Sequence, residues 1–235
     1  LIAHHPDHAR VGEALYLSAI CQEKQGKTAE AERLYRQLLE HGGDRQYATY
    51  AQAALVGLYA ARGDTVEARK LAEALQRDGA DANTVGYALY TVAEALRKAE
   101  KHQDAAELYQ QALQAAPGAE ITPWVCVGLG WARLALGEAT AAEAFERVLN
   151  DFAASDAAPA AIEGLLAVAQ KAFEGEDYAA AARGYDRIIA APGGKLAGEA
   201  RYGKAWVLLR QNKPDEALPL FLSAVETASS AAVVT

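Results

Sequence analysis

Methionine is missing altogether from the 235 residues, and cysteine occurs only twice. Cys21 and Cys126 are far apart and form no CxxC pair, so zinc-ribbon and dithiol chemistry are excluded. Both cysteines fall inside helical patterns, where a buried free thiol is the expectation. Basic residues are outnumbered, 23 Lys and Arg against 31 Asp and Glu, for a net charge of −8. That balance argues against nucleic acid or an anionic membrane surface as partner, because both reward clustered positive charge. No apolar run reaches the 18 or so residues of a spanning helix, so direct membrane insertion is not expected of this fragment. Period-2 alternation of strand length is also lacking, as is a signal peptide.

Catalytic signatures are equally scarce. There is no GxSxG, no phosphate-binding loop and no glycine-rich dinucleotide turn, so the chain reads as non-enzymatic, with no catalytic, cofactor or metal residues. His4, His5 and His8 around Asp7 lack zinc spacing and read as a loop interrupted by Pro6. The acidic turn of Glu174, Glu176 and Asp177 lacks the ligand order of a calcium loop.

What the chain has in abundance is alanine, and the alanines are periodic. An alanine followed four residues later by an aromatic recurs at Ala31/Tyr35, Ala105/Tyr109, Ala141/Phe145, Ala181/Tyr185 and Ala217/Phe221. Ala68/Ala72 keeps the alanine and loses the ring. Every copy follows a turn signal: Gly26, Gly63, Glu100-Lys101, Gly137, Gly175 or Asn212. A repeat of this length is the mark of stacked supersecondary units. Helix stops are expected at Gly63, Gly79, Gly118, Gly137, Gly175 and Gly193-Gly194, where glycine accepts the left-handed conformation. Asp44, Asp64, Asp81 and Asp156 read as N-caps, and Pro214 as a first helical residue. The spacing predicts helix pairs near 9–24/28–41, 46–61/65–77, 83–98/102–115, 122–135/138–150, 159–173/178–190 and 197–210/214–228.

These units resemble the tetratricopeptide repeat, whose pattern is W-x2-L-G-x2-Y followed by A-x3-F, A and P. Leu89, Val92, Ala93, Leu96, Ala105, Tyr109, Ala112 and Pro117 follow it in the third unit, and Leu129-Gly130 supplies the literal pair in the fourth. The resemblance implies an all-α, right-handed α-solenoid of about six antiparallel helix pairs. Its units would be 9–43, 44–80, 81–118, 119–155, 156–194 and 195–228. Residues 1–8 would be the tail of a preceding repeat, and 229–235 the start of a further unit or a frayed end, the chain being a fragment of a longer array. Arg201 and Lys204 stand where the family has apolar residues, which predicts a looser last unit.

By helical geometry the motif positions of each first helix face its second helix, and most first-helix aromatics lie opposite. Tyr59 is the exception, on the hairpin-facing side. In the resembled family first helices line the concave surface, so Tyr16, Tyr50, Tyr87, Tyr90, Trp124, Trp131, Phe173, Tyr202 and Trp206, with Arg97 as a polar contact, form the expected partner-binding groove. Such rings suit an amphipathic helix or an extended peptide. The basic clamp by which chaperone adaptors of the family grip a carboxylate is missing, since its positions hold Tyr16, Ile20, Ala53, Gly57, Tyr90 and Glu94. The expected function is therefore a protein–protein interaction scaffold recruiting a protein or peptide. The long, alanine-rich units resemble bacterial envelope members, which points to envelope assembly or secretion and places periplasm or envelope ahead of cytoplasm. Two alternatives use the same features: a polysaccharide stacked on the rings, or a spacer or homo-oligomerisation arm with the rings packed internally.

Overall fold

The computed structural model describes residues 8, 10–41, 44–191 and 196–232, with side chains described up to residue 225. Among these residues it contains twelve helices and no strand. They are α1 (Val11–Lys24), α2 (Thr28–His41), α3 (Arg45–Ala61), α4 (Thr65–Arg77), α5 (Ala82–Lys98), α6 (His102–Ala115), α7 (Thr122–Leu136), α8 (Ala141–Asp151), α9 (Ala158–Glu174), α10 (Tyr178–Ile189), α11 (Ala197–Arg210) and α12 (Pro214–Ala232). The fold is an all-α helical-repeat solenoid. It divides into two compact units, one ending at Val125 and the other beginning at Cys126, with the boundary inside α7.

Odd- and even-numbered helices pair through the repeat alanine. Ala31, Ala68, Ala105, Ala141, Ala181 and Ala217 are all buried to within 1%. A methyl group there lets the paired backbones approach closely, and the ring one turn later fills the space beside it. Tyr35, Tyr109, Phe145 and Tyr185 are no more than 3% exposed. Each such side chain contributes about 1.5–3 kcal/mol of apolar burial. Phe221, the last of the series, is only half-buried.

The turns share one geometry. Gly26, Gly63, Glu100, Glu176 and Asn212 all have φ between 59° and 86°, and each stands five residues before its repeat alanine. The next residue donates its N–H to the carbonyl five residues back, as in Lys27 to Gln22, Lys101 to Leu96 and Asp177 to Ala172, each at 2.9 Å. This is the Schellman closure, which satisfies carbonyls the helix end would orphan. Gly175 is a correction: its φ is −81°, and Glu176 takes the left-handed position instead. Gly118 is not left-handed either, and Gly193-Gly194 lies outside the described residues.

Caps also depart from expectation. The side chains of Asp44 and Asp81 accept from the N–H of Gln46 and Thr84 at 2.8 and 3.0 Å. Asp64 is taken by Arg62 instead, at 2.5 Å, and Ala157 rather than Asp156 precedes α9. The cap that sequence reasoning missed is Asp177, 2.9 Å from the Ala180 N–H. Residues 229–232 belong to α12. Of the segment 1–8, only His8 is described. Cys126 is buried as expected, but Cys21, in the last turn of α1, is exposed. The Lys204 ammonium bonds Asp186 of α10.

Candidate functional site

In the first compact unit the odd-numbered helices lie side by side, α1 against α3 and α3 against α5. Between them opens a groove of about 380 Å³ lined by Tyr16, Tyr50, Ala53, Ala54, Asn83, Thr84, Tyr87, Ala88 and Thr91. Its lining combines three tyrosines with small and polar residues. Tyr50 and Tyr87 are 38% and 46% exposed. They occupy one register, thirty-seven residues apart, and Trp124, 37% exposed, repeats it a further thirty-seven residues on. A ring at each step of a repeat gives evenly spaced apolar surface with polar tips.

The groove's first wall is a cluster of rings. Tyr16 meets Tyr35, Tyr47 and Tyr50 at centroid distances of 5.9, 5.8 and 5.6 Å. Burial pushes the Tyr16 phenol up, with Tyr50 and Glu23 adding to the shift. Gln46 Nε2 donates to the Tyr50 hydroxyl at 2.8 Å, holding that ring upright. Tyr47, Asn83, Thr84 and Thr91 were not singled out from sequence. Tyr47 could have been found, since it stands three residues before Tyr50 on the same face.

Tyr90 and Arg97 are built differently. Tyr90 is half-buried against Tyr109 at 6.2 Å, and burial with the nearby Glu94 carboxylate pushes its hydroxyl up to about 12. Arg97 is paired with Glu94 at 2.9 Å, and the Tyr109 hydroxyl also donates to Glu94. Burial disfavours the Glu94 charge, but the bonds from Arg97 and Tyr109 outweigh it, and the carboxyl sits below its usual range. Arg97 is thus a member of a packed polar triad.

In the second compact unit Trp131 stands edge-on to Phe145 at 5.5 Å, and Phe173 packs on Tyr178 at 5.8 Å. Tyr202 and Trp206, one turn apart, both meet Phe221, at 5.5 and 5.7 Å. Their outer edges stay open, at 52% and 40% exposure.

The expectation that these rings lie opposite the second helix is therefore corrected. Tyr16, Tyr90, Trp131, Tyr202 and Trp206 each touch the ring of their own second helix. A helical wheel places the Cβ, but an aromatic side chain reaches well beyond it and leans over the seam. Tyr59 is corrected as well. It contacts α2 of the preceding pair, where its hydroxyl lies 2.9 Å from Arg36 Nε and 3.2 Å from Glu32. The Arg62 guanidinium covers its ring at 4.6 Å.

Repeated helix pairs define an all-α helical-repeat protein. Residues 13–41 and 166–232 each match a profile described as tetratricopeptide repeat. The chain is similar to a tetratricopeptide repeat protein from Parabacteroides merdae, at 14% identity and a TM-score of 0.56, over 92% of this chain and 79% of that one. It is also similar to pilF of Pseudomonas aeruginosa, at 19% identity and 0.51, over 90% and 89%. A third is BtubC (BKLC) from P. vanneervenii, at 15% and 0.52, over 94% and 92%. At these identities the likeness is one of fold. No curated protein matches. The two matched segments are tetratricopeptide repeats, which support a protein–protein interaction scaffold. Among the described residues no helix is long and apolar enough to cross a membrane.

Proposed function

We propose that this scaffold is non-enzymatic and recruits its partner on the first-helix surface, in the groove walled by Tyr16, Tyr50 and Tyr87. The observation that carries the reading is the exposed ring register Tyr50, Tyr87 and Trp124, one ring on each of α3, α5 and α7. The groove is lined by rings and alanines, and an amphipathic helix presents apolar anchors at i, i+4 and i+7 to a groove of this kind. Two or three buried anchors at about 1.5–3 kcal/mol each supply roughly 3–9 kcal/mol of apolar burial, against which the costs of association are set. Tyr202 and Trp206 offer a second apolar surface on the other compact unit. Bacterial envelope assembly or secretion is the setting that the long, alanine-rich units favour.

The test is capture of partners from the source organism's lysate by the wild type and by a Tyr50→Ala, Tyr87→Ala, Trp124→Ala variant of matching helicity and melting temperature. A protein retained by the first and lost by the second supports the groove. Equal capture by both refutes it, and selective retention of a polysaccharide assigns the rings to sugar stacking.

A further inference from the structure

If the groove between α1, α3 and α5 is the docking surface, its hydrogen-bonding groups say what docks there. None of its nine described lining residues is charged, although the chain carries a net charge of −8. A charged segment would give up solvation there and gain no counter-charge, so the complementary ligand is uncharged. The polar groups that remain are mostly donors. The hydroxyls of Tyr16, Tyr50 and Tyr87 donate to no partner among the described residues. The Tyr50 oxygen already accepts from Gln46 Nε2 at 2.8 Å, which leaves its own proton free to donate. Asn83 is biased the same way: its Oδ1 accepts the Glu120 N–H at 2.8 Å, and its amide N–H groups are left as donors. Against these donors stand mainly hydroxyl oxygens as acceptors, since no carboxylate lines the groove.

A ligand for such a surface offers carbonyl oxygens and asks for few acceptors. An α-helix brings apolar anchors, but its carbonyls are spent on its own N–H groups. A sugar chain brings a donor with every hydroxyl oxygen. A polyproline II segment fits, because its backbone has no internal hydrogen bonds, its carbonyls are free and proline has no N–H. Its pitch fits as well. Three residues at about 3.1 Å each make a turn of about 9 Å, and packed helices stand about 8–10 Å apart. Tyr50 on α3 and Tyr87 on α5 share one register on neighbouring helices, so every third residue of such a segment meets a ring. Pyrrolidine rings pack on phenol faces, and the preformed conformation loses little entropy on docking. We infer that the groove binds an uncharged, proline-rich segment of a partner protein in the polyproline II conformation, its carbonyls accepting from Tyr16, Tyr50, Tyr87 and Asn83.

Fluorescein-labelled decaproline is the probe, titrated against the full chain by anisotropy beside an amphipathic alanine–leucine helix and maltoheptaose carrying the same label. Saturable decaproline binding is expected, weakened at least tenfold by Tyr87→Ala. The double variant Tyr50→Phe, Tyr87→Phe keeps both rings and loses both donors, and should bind about fivefold or more weakly. Both tyrosines are exposed, so these variants keep the fold, which circular dichroism checks. Val66→Lys, at an exposed site on α4, leaves binding unchanged. Absence of saturable decaproline binding overturns the inference, as does binding indifferent to the double phenylalanine variant. If the helix or the sugar binds instead, and Tyr87→Ala abolishes that binding, the occupant is wrong and the groove stands. Decaproline binding that Tyr50→Ala and Tyr87→Ala both leave intact refutes the groove as well.

Discussion

Replacing glycine by alanine inside a helix ordinarily stabilises it by about 0.8–1 kcal/mol. In this chain the sign should depend on which glycine is changed. At Gly57, inside α3, an added Cβ meets nothing within 4 Å, so Gly57→Ala should gain close to the full amount. At Gly164 the same methyl would stand 2.2, 2.3 and 2.6 Å from three atoms of the Phe145 ring. Carbon atoms pack at about 3.5–4 Å, so the ring must retreat by more than 1 Å. Its room to move is limited, because Gly130 also lies against the ring, where an added Cβ would be 2.6 Å away. Overpacking of this kind costs about 1–3 kcal/mol, which exceeds the propensity gain. Gly164→Ala should therefore lose about 1–2 kcal/mol and melt roughly 2–8 °C lower, while Gly57→Ala melts about 2–4 °C higher. Urea and thermal unfolding followed by circular dichroism measure both, and hydrogen exchange in α8 and α9 assigns the loss to the second compact unit. Adding Phe145→Leu should recover part of it, giving a favourable coupling in the double-mutant cycle. If Gly164→Ala stabilises as Gly57→Ala does, the account of the ring roofed by glycines is wrong.

Further consequences can be measured in the same way. Glu100→Gly and Glu176→Gly remove a left-handed cost of about 1–2 kcal/mol against about 0.5–1 kcal/mol of added chain entropy, so both should stabilise slightly, whereas Gly63→Ala should destabilise. Glu94 has a folded pKa below its unfolded value, so its stabilisation is complete above the ordinary carboxylate range and is lost as pH falls through the lower folded value. Glu94→Gln should flatten the acid limb of the stability profile, which pH-dependent urea titrations read directly. Native labelling with a maleimide should modify Cys21 rapidly and spare Cys126, whose thiol burial pushes up, until the chain unfolds.

Helix pairing was legible because it rests on spacing: the repeat alanines and their rings are local in sequence, and close packing at that spot tolerates little else. The turns were legible only in part, since glycine marks four left-handed φ values but Glu100, Glu176 and Asn212 adopt the conformation without announcing it. The closure hydrogen bond selects the position, and the residue there follows. The face of the rings was misjudged because a wheel encodes Cβ direction and not reach, so Trp131 reads as groove while it leans on Phe145. Tyr59 shows the remaining gap. Its partners Glu32 and Arg36 lie more than twenty residues away and become visible only when the pairs stack.

The central claim is that exposed first-helix rings bind a partner segment, and its most direct test is affinity. A partner peptide identified by capture is titrated against wild type, Tyr87→Ala and Val66→Ala, the last removing an exposed side chain on α4. The account predicts a loss of about tenfold or more for Tyr87→Ala, the value of one ring's worth of newly buried surface, with no change for Val66→Ala. Equal affinity for all three proteins would contradict it.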